Sequence, residues 1–127
     1  MKNMNTTRIY SAAAVNRNPV GASFHNGIVE ASVNKLISIF GIPDYNEPDS
    51  YYKVTIEWDL VYDIPNDNRL LVFTIYDMYE DDAPGKNLDN VYQFHIGTDS
   101  KANTEMIVDY LSSLGLRAYV KSIHGSK

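Results

Sequence analysis

Two strand patterns on either side of a polar turn, within Tyr51–Tyr79, constrain the fold of this chain most strongly. Along Tyr51–Tyr62, even-numbered positions are mostly apolar or aromatic and odd-numbered positions are mostly polar, which is typical of a strand with one dry face. The run Leu70–Asp77 is almost continuously apolar, as in a strand covered on both faces. Between them, Pro65–Asn68 supplies turn-forming residues. The sequence therefore predicts a long antiparallel hairpin.

Apolar residues at helical spacing predict a first helix over Ile28–Phe40. Asn26 or Ser23 is expected to cap its start, and Gly41 is expected to end it. The apolar face would consist of Val29, Val33, Leu36, Ile37 and Phe40.

The C-terminal part of the chain predicts a strand, a helix and a closing strand. Val91–Ile96 alternates between polar and apolar residues, and an apolar stripe predicts a helix over Lys101–Leu114 that ends at Gly115. Leu116–Ile123 is expected to form the last strand. The candidate N-caps of this second helix are Thr98, Asp99 and Ser100.

These elements predict an α+β fold, a two-layer sandwich in the order α-β-β-β-α-β. A mostly antiparallel sheet of about four to five strands would carry both helices on one face. Residues 1–22 are expected to form a loose arm or an extra edge strand, and residues 23–127 a single α+β domain. The other sheet face would be polar and aromatic. Its residues would be Lys53, Thr55, Glu57, Thr74, Tyr76, Gln93 and His95, although Thr74 and Tyr76 could face the helices instead.

Composition excludes several classes of function. A net charge of −5 argues against direct nucleic-acid binding, which needs concentrated lysine and arginine. The absence of cysteine excludes disulfides and thiol chemistry. No secretory signal and no apolar run long enough for a membrane helix is visible, so we expect a cytoplasmic protein with no membrane partner.

Two stretches could hold a ligand. Asp77 and the acids Glu80–Asp82 could attract a hard cation, but the register of a calcium loop is missing, so we predict neither a metal nor a cofactor. The turn from His95 to Ser100 combines a glycine, hydroxyl groups and a helix start, which could bind a phosphate or nucleotide. The same turn is also what any strand-to-helix junction requires.

The ordered motifs of this chain resemble a group of small tailed-phage proteins of unknown function. That group carries FGxP, YKxxxEW, TIYD and W/FHIG in this order, and the similarity covers roughly residues 23–110. In this sequence Phe94 precedes His95 where many of those proteins have tryptophan. The resemblance implies a phage origin, and hence the host cytoplasm as the site of action. The matching residues are Phe40–Pro43, Tyr52–Lys53 with Glu57–Trp58, Thr74–Asp77 and Phe94–Gly97.

By analogy with small phage proteins, our leading hypothesis is an accessory protein that binds without turnover. It would sequester a host defence protein or a small signalling nucleotide, as a homodimer. Lys53 would pair with an anion, Thr98 would contact it at the helix start, and Asp77 and His95 would orient the ligand. Trp58 and Tyr76 would stack on it, although the strand phase places Trp58 with the core. The alternatives are a small metal- or histidine-assisted phosphoesterase-like enzyme and a structural or interaction module.

Overall fold

The computed structural model describes residues 8–18, 21–49, 53–78 and 83–121. Within these ranges, the chain forms seven strands and two α-helices, joined by short loops and two 3-10 turns. In chain order the elements are β1 (Ile9–Ser11), β2 (Phe24–Ala31), α1 (Val33–Phe40), β3 (Tyr45–Asn46), β4 (Ile56–Asp63), β5 (Leu70–Tyr76), β6 (Tyr92–Thr98), α2 (Lys101–Ser113) and β7 (Arg117–Val120).

The strands form one antiparallel sheet in the order β1-β4-β5-β6-β2-β7. The predicted hairpin is present as β4 and β5, paired from Glu57 with Tyr76 to Asp63 with Leu70. The short strand β3 pairs with the start of β4, and β1 pairs with its later part. The α+β class and the antiparallel sheet are thus confirmed, but the sheet has seven strands and the expected four to five were too few.

The predicted helix over Ile28–Phe40 is wrong in its first part. Residues up to Ala31 belong to β2, and the helix begins at Val33 with Ser32 as its N-cap. The Ser32 hydroxyl accepts a hydrogen bond of 3.1 Å from the Lys35 amide, so neither Asn26 nor Ser23 caps this helix. Gly41 ends the helix, as predicted.

Strand β2 lies between β6 and β7, which explains its high content of buried residues. It pairs with β6 on one side and with β7 on the other, and Ile28 and Val29 are buried. A strand with neighbours on both edges and cover on both faces needs no alternation of polar and apolar residues.

Both helices contribute to one hydrophobic core on the same face of the sheet. Trp58 is fully buried between Phe40 of α1 and Phe94 of β6, with ring centroids 6.1 Å and 6.0 Å away. From α2, Ile107 and Leu111 join this core. Helix α2 begins after Ser100, whose hydroxyl accepts from the Asn103 amide, which identifies Ser100 among the three expected N-caps.

Helix α2 lies very close to the sheet where β2 carries a glycine. A Cβ atom added to Gly27 would lie 2.6 Å from Cγ2 of Thr104 and 2.9 Å from Cβ of Ile96. Only a residue without a side chain fits between the helix and its sheet at this point.

Several predicted segments fall wholly or partly outside the described residues: positions 1–7, the start of the Tyr51–Tyr62 run, the acids Glu80–Asp82 and the chain end from position 122. Within the described part, β1 provides the extra N-terminal strand that the sequence allowed. The closing strand is confirmed as β7, over Arg117–Val120.

Candidate functional site

A groove in two adjoining parts lies on the sheet face opposite the helices. One part has a volume of about 590 Å³, and the other has a volume of about 570 Å³. Val54 and Glu57 line both parts, so the two are continuous. The further lining residues are Tyr45 and Lys53 in one part, and Ala22, His25, Asn26, Thr74, Tyr76, Met78 and His95 in the other.

The strand register brings four of these side chains into one row across the sheet. Tyr45 is paired with Glu57, Glu57 with Tyr76, and Tyr76 with His95. Directly opposite residues in antiparallel strands point to the same face, so the four side chains are neighbours. The row supplies three rings and one carboxylate to a single surface.

Tyr76 is the centre of an aromatic cluster with two histidines. Its ring stacks on His95 at 5.3 Å between centroids and meets His25 edge-on at 5.7 Å. Burial and the nearby Glu57 raise the pKa of the Tyr76 hydroxyl to about 12, so this group keeps its proton at neutral pH. The hydroxyl forms a hydrogen bond with Nδ1 of His25, which lies 2.5 Å away, and the tautomer of His25 decides which of the two groups donates.

The hydrogen-bond partner of His95 determines which of its ring nitrogens carries the hydrogen. Nδ1 of His95 lies 3.2 Å from the carbonyl oxygen of His25, which can only accept a hydrogen bond. His95 therefore carries a proton on Nδ1, and its Nε2 remains an acceptor when the ring is neutral.

A β-bulge places His25 over the groove. Phe24 is paired with Thr98 and Gly27 with Ile96, so His25 and Asn26 together lie opposite one residue, Gly97. A Cβ atom on Gly97 would lie 2.9 Å from Cγ2 of Thr74, 3.0 Å from Cβ of Ala22 and 3.4 Å from Nδ1 of His25. Because Gly97 has no side chain, Ala22 and His25 can lie close to the sheet at this point.

Glu57 is the electrostatically unusual residue of the groove. Burial raises its pKa from 4.5 to about 7, and the neighbouring carboxylates Asp59 and Asp44 add to the shift. Oδ1 of Asp59 is buried without a hydrogen-bond partner. When Glu57 is protonated, its hydroxyl can donate a hydrogen bond to the Asp59 carboxylate, which stabilises the protonated form of Glu57.

Three of the six predicted site residues line the groove: Lys53, Tyr76 and His95. Thr74 and Tyr76 face away from the helices, which resolves the ambiguous phase of β5. Thr55 was expected on the exposed face, but it is fully buried.

The other three predicted site residues have structural partners elsewhere. Trp58 lies in the core, where its indole N–H donates to the Gly41 carbonyl at 2.8 Å, so it cannot stack on a ligand in the groove. The Asp77 carboxylate is buried and accepts from the Thr55 amide, the Thr55 hydroxyl and the Ile56 amide. Burial and these three hydrogen bonds give Asp77 a structural role, and it does not line the groove.

Thr98 is fully buried beneath the start of α2. Its hydroxyl lies 2.7 Å from the Thr104 hydroxyl and 2.6 Å from the Ser100 carbonyl oxygen, to which it donates. These bonds fix the strand-to-helix turn, and burial removes Thr98 from contact with an anion at the surface.

Sequence reasoning missed three lining residues: His25, Tyr45 and Glu57. Glu57 was assigned to the correct face, but its burial and its acidic neighbours arise from the fold. None of the predicted elements included Tyr45, which lies in β3, and His25 preceded the predicted first helix, which in fact starts later. The available signal for His25 was Gly27, which is a poor residue for a helix start but common next to a bulge.

The described residues contain no group of three or more histidine, aspartate or glutamate side chains that could hold a metal ion. None of the helices in this part of the chain is both long enough and apolar enough to cross a membrane. No family model, no curated protein and no solved structure matches the chain.

Proposed function

We propose that this protein binds a small nucleotide in the groove and sequesters it without turnover. The observation that carries the proposal is the row of Tyr45, Glu57, Tyr76 and His95, with Lys53 lining the same groove. Aromatic rings offer flat apolar contact to a base, a carboxylate accepts hydrogen bonds from its edge, and an ammonium pairs with a phosphate. The groove volume lies within the range of small-molecule sites.

The groove favours a nucleotide over a host defence protein as the sequestered component. Its polar groups lie in one row across neighbouring strands, where a small flat molecule can reach them. A protein partner would need a wider contact, of about 800 Å² from each side. Together with the motif resemblance, this supports an accessory role in the host cytoplasm during phage infection.

We propose a homodimer as the form that acts. Among the described residues, β7 pairs only with β2, so its outer edge offers backbone groups to a second copy. Light scattering at high micromolar concentration tests this part, and a monomer would contradict it.

The residues that could act in catalysis already form hydrogen bonds within the protein, which agrees with binding without turnover. Nδ1 of His25 and Nδ1 of His95 are both engaged within the cluster, and Asp77 is held by Thr55 and Ile56. The pair of histidines in one groove nevertheless favours a histidine-assisted phosphoesterase as the second candidate. That candidate would act through Nε2 of His95 as a general base.

Thermal melts against a panel of linear and cyclic nucleotides test the proposal. A ligand at a hundredfold excess over its Kd stabilises the fold by about 2.7 kcal/mol, which raises the melting temperature by several degrees. Lys53→Gln should reduce the shift, whereas Lys101→Gln, at an exposed position on α2, should not.

The same samples distinguish binding from catalysis. Chromatography after incubation should return the nucleotide intact. Product formation that is abolished in His95→Ala would favour the enzyme, and the absence of any thermal shift across the panel would contradict sequestration.

A further inference from the structure

Two glutamates on the same sheet face differ sharply in their hydrogen-bond donors. Glu30 accepts from the Tyr119 hydroxyl at 2.6 Å, from Nε of Arg117 at 2.9 Å and from the Gln93 amide at 3.1 Å. These donors lower its pKa. Its carboxylate is therefore saturated, and its charge serves the structure.

Glu57 has no comparable set of donors in the described part of the chain. The Thr74 hydroxyl is a donor that lowers the pKa of Glu57, but its single hydrogen also serves the Trp58 carbonyl, which lies 3.0 Å from the hydroxyl oxygen. The carboxyl groups of Asp59 and Asp44 also lie near the Glu57 carboxyl and raise its pKa. The Glu57 carboxyl lines both parts of the groove, so a ligand in either part can reach it.

A carboxylate short of donors selects for a ligand edge with two adjacent N–H groups. Its two oxygens accept such a pair in parallel, as they do from arginine. Among the bases, only guanine presents this edge, with N1–H next to the 2-amino group. Adenine and cytosine place an acceptor beside their amino group, and uracil places its single N–H between two carbonyls.

The same groove disfavours an amine or guanidinium ligand, because Lys53 lines it as well. A ligand that is anionic at one end and rich in donors at the other matches both charges. From these contacts we infer that the groove recognises a guanine nucleotide, with the Glu57 carboxylate on the base edge and Lys53 on the phosphate. This inference rests on the proposed function and adds the identity of the base.

Guanine recognition requires the ionised form of Glu57, so binding should depend on pH. Two carboxyl groups lie near Glu57, those of Asp59 on its own strand and of Asp44 just before β3. The other titratable or charged residues that line the groove are Tyr45, Lys53, Tyr76, His25 and His95. Affinity should rise between pH 5 and pH 8 as the Glu57 proton is lost to solvent, and it should level off above that range.

Isothermal titration with three nucleoside monophosphates tests the inference. GMP, IMP and AMP are suitable probes, because IMP differs from GMP only by the missing 2-amino group. A hydrogen bond to a charged acceptor corresponds to roughly a tenfold to hundredfold change in affinity, so GMP should bind at least about tenfold more tightly than IMP. AMP should bind more weakly still.

Glu57→Gln removes the bidentate acceptor and should bring the three affinities within about threefold of one another. The matched control is Glu105→Gln, an equal charge change on the exposed side of α2, which should keep the preference for GMP. Folding of each variant is checked by its thermal melt without ligand.

The outcomes separate the two proposals. If the wild type binds nucleotides without preferring GMP, or if Glu57→Gln keeps the preference, the guanine inference is overturned while sequestration stands. If none of the nucleotides in the wider panel binds, both are overturned.

Discussion

The two faces of the sheet satisfy their side chains to different degrees. On the helix face, Trp58, Phe73 and Phe94 are completely buried, and the one polar atom among them, the indole nitrogen, is hydrogen-bonded. On the groove face, Asp59 keeps a buried oxygen without a donor, and Glu57 has a raised pKa. Since Glu57, Trp58 and Asp59 are consecutive in β4, the contrast is between faces, not between regions of sequence.

This difference agrees with a helix face that stabilises the fold and with the binding role that we propose for the groove face. Close packing with satisfied polar groups maximises stability. Buried polar groups without partners cost stability, and they persist in proteins mainly where a ligand or reaction uses them. Four substitutions test the contrast, two on the helix side of β4 and β5 and two in the groove.

The largest effect is expected for Trp58→Ala. It removes a fully buried ring between Phe40 and Phe94 and leaves the Gly41 carbonyl without its donor. The free energy of unfolding should fall by about 3–5 kcal/mol in urea titrations. A loss below about 1 kcal/mol would mean that the helix face is not the tightly packed face.

Asp77→Ala should be the next most damaging change, with a loss of about 3 kcal/mol, because it leaves three buried donors of Thr55 and Ile56 without an acceptor. Asp77→Asn should cost less, about 1 kcal/mol, since the amide oxygen can still accept two of the bonds. Asp109→Asn, at an exposed position, is the control for the charge change. Equal stability of the alanine and asparagine variants in urea titrations would contradict this reading of Asp77.

Gly97→Ala should destabilise the protein by about 1–3 kcal/mol, because the new methyl group would press on Thr74 and Ala22. It should also weaken ligand binding, because Nδ1 of His25 lies within reach of the same methyl. Gly21→Ala is the control, since no atom lies within 4 Å of its Cβ position. If both variants melt at the same temperature, Thr74 and Ala22 do not lie as close to Gly97 as the structure indicates.

Glu57→Gln should have the smallest effect on stability, and its sign depends on pH. The folded protein favours the protonated acid, so this group's contribution is complete below pH 4.5 and is lost as the pH rises towards about 7. Glutamine cannot ionise, so it avoids that loss. The free energy of unfolding of the variant, relative to that of the wild type, should therefore rise by about 1 kcal/mol from pH 5 to pH 8. The full pKa shift would correspond to a larger gain, but the carboxyl is partly exposed and solvent weakens the effect. Urea titrations at pH 5 and at pH 8 measure this gain in stability, and Glu105→Gln should show no such gain.

The sequence predicted the hairpin, its turn and the third strand well. Their strands show strong alternation or long apolar runs, and such patterns reflect directly which faces of a strand are buried. It failed over residues 28–31 because Val29 and Val33 point into one core from two different elements. Their spacing of four residues imitates a helix, although Val29 belongs to β2 and Val33 to α1. Local periodicity cannot separate these cases.

The lining of the groove was predicted in part for a similar reason. Lys53, Tyr76 and His95 were assigned to the face that carries the groove because alternation along a strand indicates which side chains share a face. The raised pKa of Glu57 comes first from burial, and Asp59 and then Asp44, which β3 brings alongside β4, add to it. Burial and a contact between two strands are not encoded in local spacing. Asp77 and Thr98 were misassigned because a polar residue near a strand end can equally well hold the backbone together.

The bulge in β2 also puts the two ends of this strand out of phase. Phe24 and Gly27 are an odd number of positions apart, yet both occupy the side of the sheet that faces α2. Loss of one residue between them would restore a regular ladder and leave the later pairing with β6 and β7 in place. The ring of His25 would then be withdrawn from Tyr76. An insertion or deletion at this single point would thus change the shape of the groove while most of the strand pairing is retained.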